Sequence, residues 1–564
     1  MGHWQLFRDG YGEKVIKFMK RVQISAKFEP ISFVKENKMP IIVSEIRISP
    51  NEPKEKAFAR ALSELGLRRY ENVSTRISKI SVDARHKDNV QLVCSVAVSC
   101  DEEEKIFERK KTKNITLRKI APDKIPALKK PPETRPVIIG FGPAGMFAGL
   151  YLARAGAKPV IFERGAQIDE RAAAVEEYWG GGKLRPDANV QFGEGGAGTF
   201  SDGKLTTRIN DPRCDFVLKE LESHGAPEEI LVKAKPHIGT DRLRNVVKNI
   251  RKEIIALGGE VHFMTPGTDI GIKDGKVRSV TVNGAQIPAE NVILAAGHSA
   301  RDTFAMLNSK GVLMEAKPFS VGARIEHLQS DIDRAQYGDF AGNPALWAAE
   351  YQLSYKVDGR CAYTFCMCPG GYVVPAEDHS EAIVTNGMSC FARDGKNANA
   401  AVVCSVSAED FGGDPFKAMA FQEQLEHKGF AMGGGKAPAQ TVGSFLNGGA
   451  SRFGRVEPSY ARGVAEADLR KLFPAEITSV LQKGLLSFDR KLAGFAAADA
   501  VLTGPETRTS SPVRISRGAD SLEALGADGL YPCAEGAGYA GGIMSAAVDG
   551  LRCAEKVLKK YREG

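Results

Sequence analysis

This 564-residue sequence contains no run of about 18 apolar residues, the length that is needed to cross a bilayer. It shows no secretory signal, and its ten cysteines follow no disulfide-scaffold pattern. These absences argue against a membrane protein and against a small disulfide-stapled secreted module. Because 43% of the residues are hydrophobic and 26% are charged, we expect a soluble cytoplasmic protein with about two or three domains.

Aromatic residues do not accompany the basic clusters, which limits what the charge can bind. The net charge is +8, and much of it lies in residues 109–113 and 118–119. Nucleic-acid sites combine such charge with recognisable binding motifs, whereas solvated faces and linkers show charge alone. We therefore expect neither a nucleic-acid partner nor a membrane partner.

A G-x-G-x-x-G turn follows the apolar residues 137–139 and precedes a helical segment. Gly140 permits the tight turn, Gly142 lets the backbone approach a pyrophosphate, and Gly145 lets helix and strand pack closely. Because free N–H groups and the positive end of the helix dipole meet there, the turn favours bound phosphate. The order of strand, turn and helix predicts a dinucleotide site.

A second strand ends in Glu163, roughly twenty residues beyond the glycines, where a carboxylate accepts hydrogen bonds from an adenosine ribose. An acid at this position disfavours a ribose 2′-phosphate, so the site suits FAD or NAD rather than NADP. Near the other end of the chain, Glu535 follows a short strand, and residues 541–543 begin a helix. We expect Glu535 to hold ribityl hydroxyls and the 541–543 amides to face phosphates or the isoalloxazine. A nicotinamide-only enzyme does not need this distant clamp, so FAD is the predicted cofactor.

The glycine-rich residues 192–205 lie between these segments and predict backbone that passes close over a flat ligand. A buried strand at residues 292–297 returns the chain to the same edge of the sheet. The predicted cofactor contacts are Gly140, Gly142, Pro143, Ala144, Gly145, Glu163, Arg164, Gly196, Gly198, Thr199, Gly203, Lys204, Gly267, Ala296, Gly297, Glu535, Gly536, Gly541, Gly542 and Ile543.

These patterns predict an α/β fold in which a Rossmann-type FAD-binding domain is interrupted by an inserted α+β substrate domain. A small α/β domain of β-α-β-β order precedes it. The predicted ranges are a disordered extension at 1–38, the small domain at 39–128, the first part of the FAD-binding domain at 129–318, the inserted domain at 319–500 and the closing part at 501–564. Met39 is the alternative natural start of the chain.

Five segments resemble the FAD-dependent dehydrogenase (NAD(P)/FAD-dependent oxidoreductase) family of the glutathione-reductase-like flavoproteins. They are residues 191–204 (QFGEGGAGTFSDGK), 297–303 (GHSARDT), 363–371 (YTFCMCPGG), 506–515 (ETRTSSPVRI) and 531–543 (YPCAEGAGYAGGI). The resemblance implies one FAD site, a small N-terminal domain and oxidoreductase activity, and it supplies no substrate. Glu535 departs from it, since many relatives carry Asp there.

The predicted reaction is hydride transfer between bound FAD and a small-molecule substrate, with NAD(P)H as a possible transient electron donor because no second nucleotide fingerprint is present. Lys204, His298 and Arg508 are the candidate catalytic residues, and no metal site is predicted. Cys366 and Cys368 are read as buried strand residues, with redox activity as the alternative. An RNA-directed flavoprotein and a flavin-based redox sensor are the alternative functions. The sequence does not predict the oligomeric state.

Overall fold

The computed structural model describes residues 39–67, 73–118 and 125–563. The extension predicted at residues 1–38 lies outside them. The N-terminal domain contains β1 (Ile41–Ile48), α1 (Glu55–Leu65), β2 (Ser74–Asp83), β3 (Gln91–Ser99), α2 (Glu103–Lys110) and β4 (Ile115–Leu117). Within the described residues, these strands form an antiparallel sheet in the order β2-β3-β1-β4.

The predicted β-α-β-β order of this domain was therefore incomplete. The second helix, α2, and the short strand β4 complete a split β-α-β unit of ferredoxin-like order. The sequence of α2 is dominated by charge, and only Ile106 is buried along it. The sequence of α2 has little apolar periodicity. The basic run at residues 109–113 was therefore interpreted as a solvated face or a linker and not as the end of a helix.

The first part of the FAD-binding domain supplies the strands and helices around the glycine turn. Its elements are β5 (Val137–Ile139), α3 (Pro143–Arg154), β6 (Val160–Phe162), α4 (Ile168–Trp179), α5 (Arg213–Ser223), α6 (Thr240–Ala256), β7 (Glu260–His262), β8 (Gly267–Lys273), β9 (Lys276–Val282), β10 (Ala285–Pro288), β11 (Val292–Leu294), α7 (Arg301–Ser309) and β12 (Met314–Ala316).

The inserted domain follows directly. Its elements are β13 (Phe319–Leu328), α8 (Gln329–Tyr337), β14 (Ser354–Val357), β15 (Arg360–Cys368), β16 (Tyr372–Pro375), β17 (Thr385–Met388), β18 (Asn397–Val406), α9 (Pro415–Gly433), β19 (Ala437–Thr441), α10 (Val442–Asn447), β20 (Val464–Glu466), α11 (Ala475–Lys491) and β21 (Val501–Glu506). The closing elements are β22 (Val513–Ile515), β23 (Leu530–Pro532) and α12 (Ile543–Glu563).

The central sheet of the FAD-binding domain has the order β23-β11-β5-β6-β7, and its strands run parallel. Both faces of this sheet are covered. Ile138 and Ile293 pack into the core that includes α3, α6 and α12, whereas Val137 and Leu294 pack toward the β8–β10 sheet. Burial on both faces explains why β5 and β11 are continuously apolar. Since the strands are parallel, the segments after β5, β6, β11 and β23 meet at one edge.

The boundary predicted at residue 501 is wrong. Strand β21 lies inside the large sheet of the inserted domain, whose order is β14-β15-β18-β13-β21-β19-β20. Thr503 pairs with both Arg324 of β13 and Ala439 of β19. The closing part of the FAD-binding domain therefore begins after Glu506. Sequence alone did not show this, because every residue of β21 is buried and a buried strand reads alike in either domain.

Candidate functional site

The first glycine turn is held by close backbone packing. Gly140 has φ +97°, and a Cβ at this position would overlap the carbonyl oxygen of Ala295. A Cβ on Gly145 would overlap the carbonyl oxygen of Gly140. The helix begins at Pro143 with Gly142 as its N-cap. Because Gly142 has no capping side chain, the first N–H groups of α3 face outward from the turn.

The second glycine-rich helix start lies beside the first. Helix α12 packs against α3 so closely that a Cβ on Gly550 would overlap the carbonyl oxygen of Ala144. The glycine run then passes between the two starts. A Cβ on Gly196 would lie 3.0 Å from Gly142 Cα, and one on Gly198 would lie 3.0 Å from Ile543 Cγ1. The fold therefore brings the two distant segments together.

We call the space bordered by Gly142, Gly196, Gly297, Gly541 and Gly542 the cofactor cleft. Among residues 39–67, 73–118 and 125–563, no heavy atom lies within 4 Å of a Cβ added to Gly297, Gly541 or Gly542. A side chain at any of these three positions would enter open space. Bare backbone here, together with two helix starts that direct N–H groups at it, fits a flat ligand that carries phosphates.

Glu163 ties the first turn to the glycine run. Its carboxylate is buried and accepts hydrogen bonds from the N–H groups of Phe141 (2.7 Å), Gly165 (2.8 Å) and Gly193 (3.0 Å). Three backbone donors occupy three of the roughly four acceptor positions of the carboxylate, so the predicted contact with a ribose stays a prediction. The neighbouring Arg164 stacks on the ring of Phe192, 4.7 Å from its centroid.

Glu535 and His298 meet at the carboxyl ends of β23 and β11. The two side chains are paired, with 3.4 Å between Glu535 Oε1 and His298 Nδ1. Their backbones are also close, since a Cβ on Gly536 would lie 2.7 Å from the carbonyl oxygen of Gly297. Within the described part of the chain, His298 Nε2 is buried and has no hydrogen-bond partner. One nitrogen of this imidazole thus lies next to Glu535, and the other makes no hydrogen bond with the described residues.

Arg508, a predicted catalytic residue, is enclosed by other side chains. Its own side chain is 3% exposed and donates to Glu426 (3.0 Å), Asp378 (2.7 Å) and the Ser299 hydroxyl (2.9 Å). Burial opposes the charge, but Glu426 and Asp378 outweigh it and hold the pKa of Arg508 well above its usual value. The two carboxylates fix the position of the guanidinium. Its remaining hydrogen bond holds Ser299, the residue after His298, in place.

Lys204 lies at the end of the glycine run, where its backbone forms an isolated β-bridge with the backbone of His237. Its Nζ is 3.3 Å from Glu350 Oε2. Burial lowers the pKa of Lys204, but Glu350 and Asp202 outweigh that effect and raise it above its usual value. Lys204 is therefore a fixed positive charge.

The remaining predicted contacts support the cleft from outside. The Thr199 carbonyl accepts the Thr240 hydroxyl at 2.7 Å, a Cβ on Gly203 would lie 3.0 Å from Gly239 N, and one on Gly267 would lie 3.1 Å from Ile139 Cδ1. Ala296 lies against the first turn, 3.2 Å from where a Cβ on Gly140 would be. These residues fix the backbone around the cleft.

Sequence reasoning missed Arg171 on α4. This side chain is completely buried and donates to the carbonyl oxygens of Asn189 (2.9 Å), Val190 (2.9 Å), Glu194 (2.7 Å) and Gly196 (3.0 Å). Burial lowers the pKa of Arg171 to about 10. It clamps the glycine run in its bent path. The available signal was an arginine on the apolar face of a helix that directly precedes many glycines.

Two family models match consecutive segments of this chain. Residues 134–330 match the family described as pyridine nucleotide-disulphide oxidoreductase, and residues 318–509 match the FAD-dependent protein C-terminal domain. The halogenase PltM in complex with phloroglucinol and FAD is 13% identical, covers 77% of this chain and 71% of its own, and has a TM-score of 0.35. The E. coli quinol fumarate reductase FrdA is 12% identical, with 77% and 71% coverage and a TM-score of 0.35.

Among the described residues, no helix has both the length and the apolar character that a membrane crossing requires.

An uncharacterized protein of Clostridium beijerinckii is 47% identical over 532 residues, which cover 93% of this chain and 99% of that protein. The chain therefore belongs to one protein family with the clostridial protein, and it joins a pyridine nucleotide-disulphide oxidoreductase segment to a FAD-dependent C-terminal domain.

Proposed function

We propose that this protein binds FAD in the cofactor cleft and acts as a dehydrogenase on a small organic substrate, with NAD(P)H as a transient electron donor. The observation that carries the proposal is the convergence of two glycine-rich helix starts, Gly142 and Gly541, on bare backbone. Two such starts supply N–H groups for phosphates at two points of one extended ligand. We also propose that the protein belongs to the glutathione-reductase-like subfamily of flavoproteins.

Bound FAD would supply hydride transfer, and the protein would supply position, charge and proton movement. The first turn of α3 would bind phosphate, and the N–H groups at Gly541 and Gly542 would also donate to the cofactor. Glu163 and Arg171 hold the glycine run beside α3. Glu163 would also accept a hydrogen bond from the adenosine ribose, as the sequence predicts.

His298 is the residue best placed to move a proton. Glu535 Oε1 lies 3.4 Å from Nδ1 of the imidazole, and we assign proton movement to this histidine because histidine can take up and release a proton near neutral pH. Lys204 contributes a fixed positive charge beside the glycine run. Arg508 is a positioning residue, because it acts on His298 through Ser299.

Anaerobic absorbance at flavin wavelengths tests this function. The full-length protein is loaded with FAD, and NADH, NADPH and a library of organic metabolites are added in turn. Bleaching of the flavin band by a donor, followed by recovery with an organic acceptor, is the expected result. A fully loaded protein whose flavin no donor reduces would exclude the dehydrogenase activity and leave the redox-sensor alternative.

A further inference from the structure

Ala534 lies between the end of β23 and Glu535 in an unusual backbone conformation. Its φ is +61°, in the left-handed region that glycine adopts freely and that other residues rarely occupy. A residue persists in this region when its surroundings hold it there, and such residues cluster at functional sites. Because Glu535 follows directly, the conformation of Ala534 decides the direction in which the Glu535 carboxylate points.

The contact between Glu535 and His298 leaves little freedom for this direction. Glu535 Oε1 lies 3.4 Å from His298 Nδ1. The backbones beside them are also close, since a Cβ on Gly536 would lie 2.7 Å from the carbonyl oxygen of Gly297. If Ala534 turned into the right-handed region, the chain after it would take a different path. Glu535 would then leave His298.

A buried ion pair holds Ala534 in place. The carboxylate of Asp549, on α12, accepts the Ala534 N–H at 2.7 Å. The guanidinium of Arg517 donates to the same carboxylate through two nitrogens, at 2.7 and 3.0 Å. The side chains of Arg517 and Asp549 are 6% and 7% exposed. We call these two residues the Ala534 clamp.

Arg517 also contacts both ends of the segment that carries Glu535. It donates to the carbonyl oxygen of Pro532 at 2.6 Å, and its guanidinium lies over the ring of Tyr539, 3.8 Å from the centroid. The backbone N–H of Arg517 donates to the Tyr539 hydroxyl at 3.2 Å. Within the segment, the Tyr539 N–H donates to the Ala534 carbonyl oxygen at 3.0 Å. The clamp therefore fixes the segment before, at and after Ala534.

Arg517 supplies the positive charge that the buried Asp549 needs. Burial opposes the charge of Arg517, but the hydrogen bonds and charge of Asp549 outweigh that effect and raise the pKa of Arg517 above its usual value. Asp549 also lies beside the thiols of Cys533 and Cys553, with the three ligand atoms within 4.8 Å of one another. Because the guanidinium and a backbone N–H occupy the carboxylate, this cluster fits a clamp on the backbone better than a cation site.

We propose that the Ala534 clamp positions Glu535 beside His298. By holding Ala534 in the left-handed conformation, Arg517 and Asp549 act as positioning residues for the histidine to which we assign proton movement. The inference deepens the proposed function and rests on it. In this proposal neither clamp residue touches the reacting atoms, so their effect on the chemistry passes through Glu535. A residue that only stabilised the fold would change unfolding alone.

Asp549→Leu is the main test, because it keeps much of the side-chain volume and removes both acceptor oxygens. In the FAD-loaded full-length protein, we expect flavin reduction by the best donor to fall about tenfold, with the altered pH profile of Glu535→Gln. In the double variant of Asp549→Leu and Glu535→Gln, the two losses should not add, since both act on one contact. Stopped-flow absorbance measures the rates. Glu555→Leu, which removes a more exposed acid of α12, is the matched control.

Ala534→Gly should rescue the loss, which a purely structural role does not predict. Glycine adopts the left-handed conformation without the penalty of a Cβ, so the segment depends less on the clamp. Combined with Asp549→Leu, Ala534→Gly is expected to recover most of the lost reduction rate. In the wild-type background, it should leave the rate unchanged. A combined variant as slow as Asp549→Leu would show that the clamp does not act through the conformation of Ala534.

Hydrogen–deuterium exchange gives a measurement that does not depend on the flavin. The Ala534 N–H is buried and donates to Asp549, so it should exchange slowly in the wild type. In folded Asp549→Leu the acceptor is gone, and we expect exchange to be at least about tenfold faster. Mass spectrometry of a peptide that spans residues 533–540 measures it, with and without FAD. Glu555→Leu should exchange like the wild type.

The outcomes separate this inference from the proposed function. A wild-type flavin that no donor reduces would overturn the proposed function. A reducible flavin, with equal reduction rates, pH profiles and exchange in the wild type and Asp549→Leu, would overturn only the clamp. If Asp549→Leu does not fold, Arg517→Lys takes its place with the same expectations, because it keeps the charge and loses the two-pronged contact. Its matched control is Arg552→Lys, at a more exposed position of α12.

Discussion

The two glycine-rich helix starts look alike in the sequence and differ in their surroundings. At α3, a Cβ on Gly140 or Gly145 would overlap backbone oxygen atoms. At α12, within the residues described, a Cβ on Gly541 meets no heavy atom inside 4 Å. The first glycines are required by the packing of strand against helix. The second leave backbone bare where we propose that FAD binds, so the same residue type serves folding at one start and, in our proposal, binding at the other.

The largest effect that this comparison predicts is loss of the fold in Gly145→Val. The added side chain would overlap the carbonyl oxygen of Gly140, and backbone cannot move aside cheaply. We expect a destabilisation of more than about 3 kcal/mol. Thermal unfolding followed by circular dichroism measures it. Gly454→Val is the control, since among the described atoms nothing lies within 4 Å of its Cβ. Equal melting of the two variants would contradict the packing role.

Arg171→Met tests the residue that connects the glycine run to α4. The substitution keeps much of the side-chain volume and leaves the carbonyl oxygens of residues 189–196 without their donor. We expect a loss of about 3 kcal/mol in unfolding free energy and weaker retention of FAD. Urea unfolding and absorbance of the purified protein measure the two effects. Arg185→Met, at a more exposed position after the end of α4, should change neither property. An Arg171→Met variant with the unfolding free energy and FAD retention of the wild type would refute the clamp.

Gly541→Val should separate binding from folding. Because a Cβ on Gly541 would occupy open space beside the cofactor cleft, the variant is expected to unfold like the wild type. We expect it to bind FAD about 10- to 100-fold more weakly, or about 1.4–2.8 kcal/mol. Flavin fluorescence titration of apoprotein measures the affinity, with Gly454→Val again as control. Wild-type affinity in Gly541→Val would remove the difference between the two helix starts.

Glu535→Gln should give the smallest effect, because it keeps the shape of the side chain and removes only the charge beside His298. We expect FAD content to stay constant and the rate of flavin reduction by the best donor to fall about tenfold, with an altered pH profile. Stopped-flow absorbance across pH measures both. Glu315→Gln, an exposed acid paired with Arg514, is the control. A reduction rate and pH profile identical to the wild type would show that Glu535 does not position the imidazole.

Local patterns allowed much of this fold to be predicted. The run of apolar residues in β5, the G-x-G-x-x-G turn and the helix after it follow from rules that involve neighbouring residues only. The predicted α/β class with a Rossmann-type domain is confirmed by the match of residues 134–330. The N-terminal domain was recognised in part, because the charged α2 carries little periodicity.

The direction of individual polar side chains could not be predicted. Glu163 stands where a ribose ligand is expected, and N–H groups from two other segments also donate to its carboxylate. Arg508 looked free to reach substrate, but Asp378 and Glu426 come to it from the inserted domain. Such partners lie far away in sequence, so only the folded structure reveals them. Sequence patterns predicted the backbone path around the cleft better than the contacts of its charged side chains.

The most direct test of the central claim is the flavin content of the protein after reconstitution with excess FAD and removal of the unbound fraction. The account predicts one FAD per chain, with a yellow absorbance band in the wild type and a weaker band in Gly541→Val at unchanged fold. A reconstituted wild-type protein that stays colourless, while its circular dichroism shows a folded chain, would contradict the account.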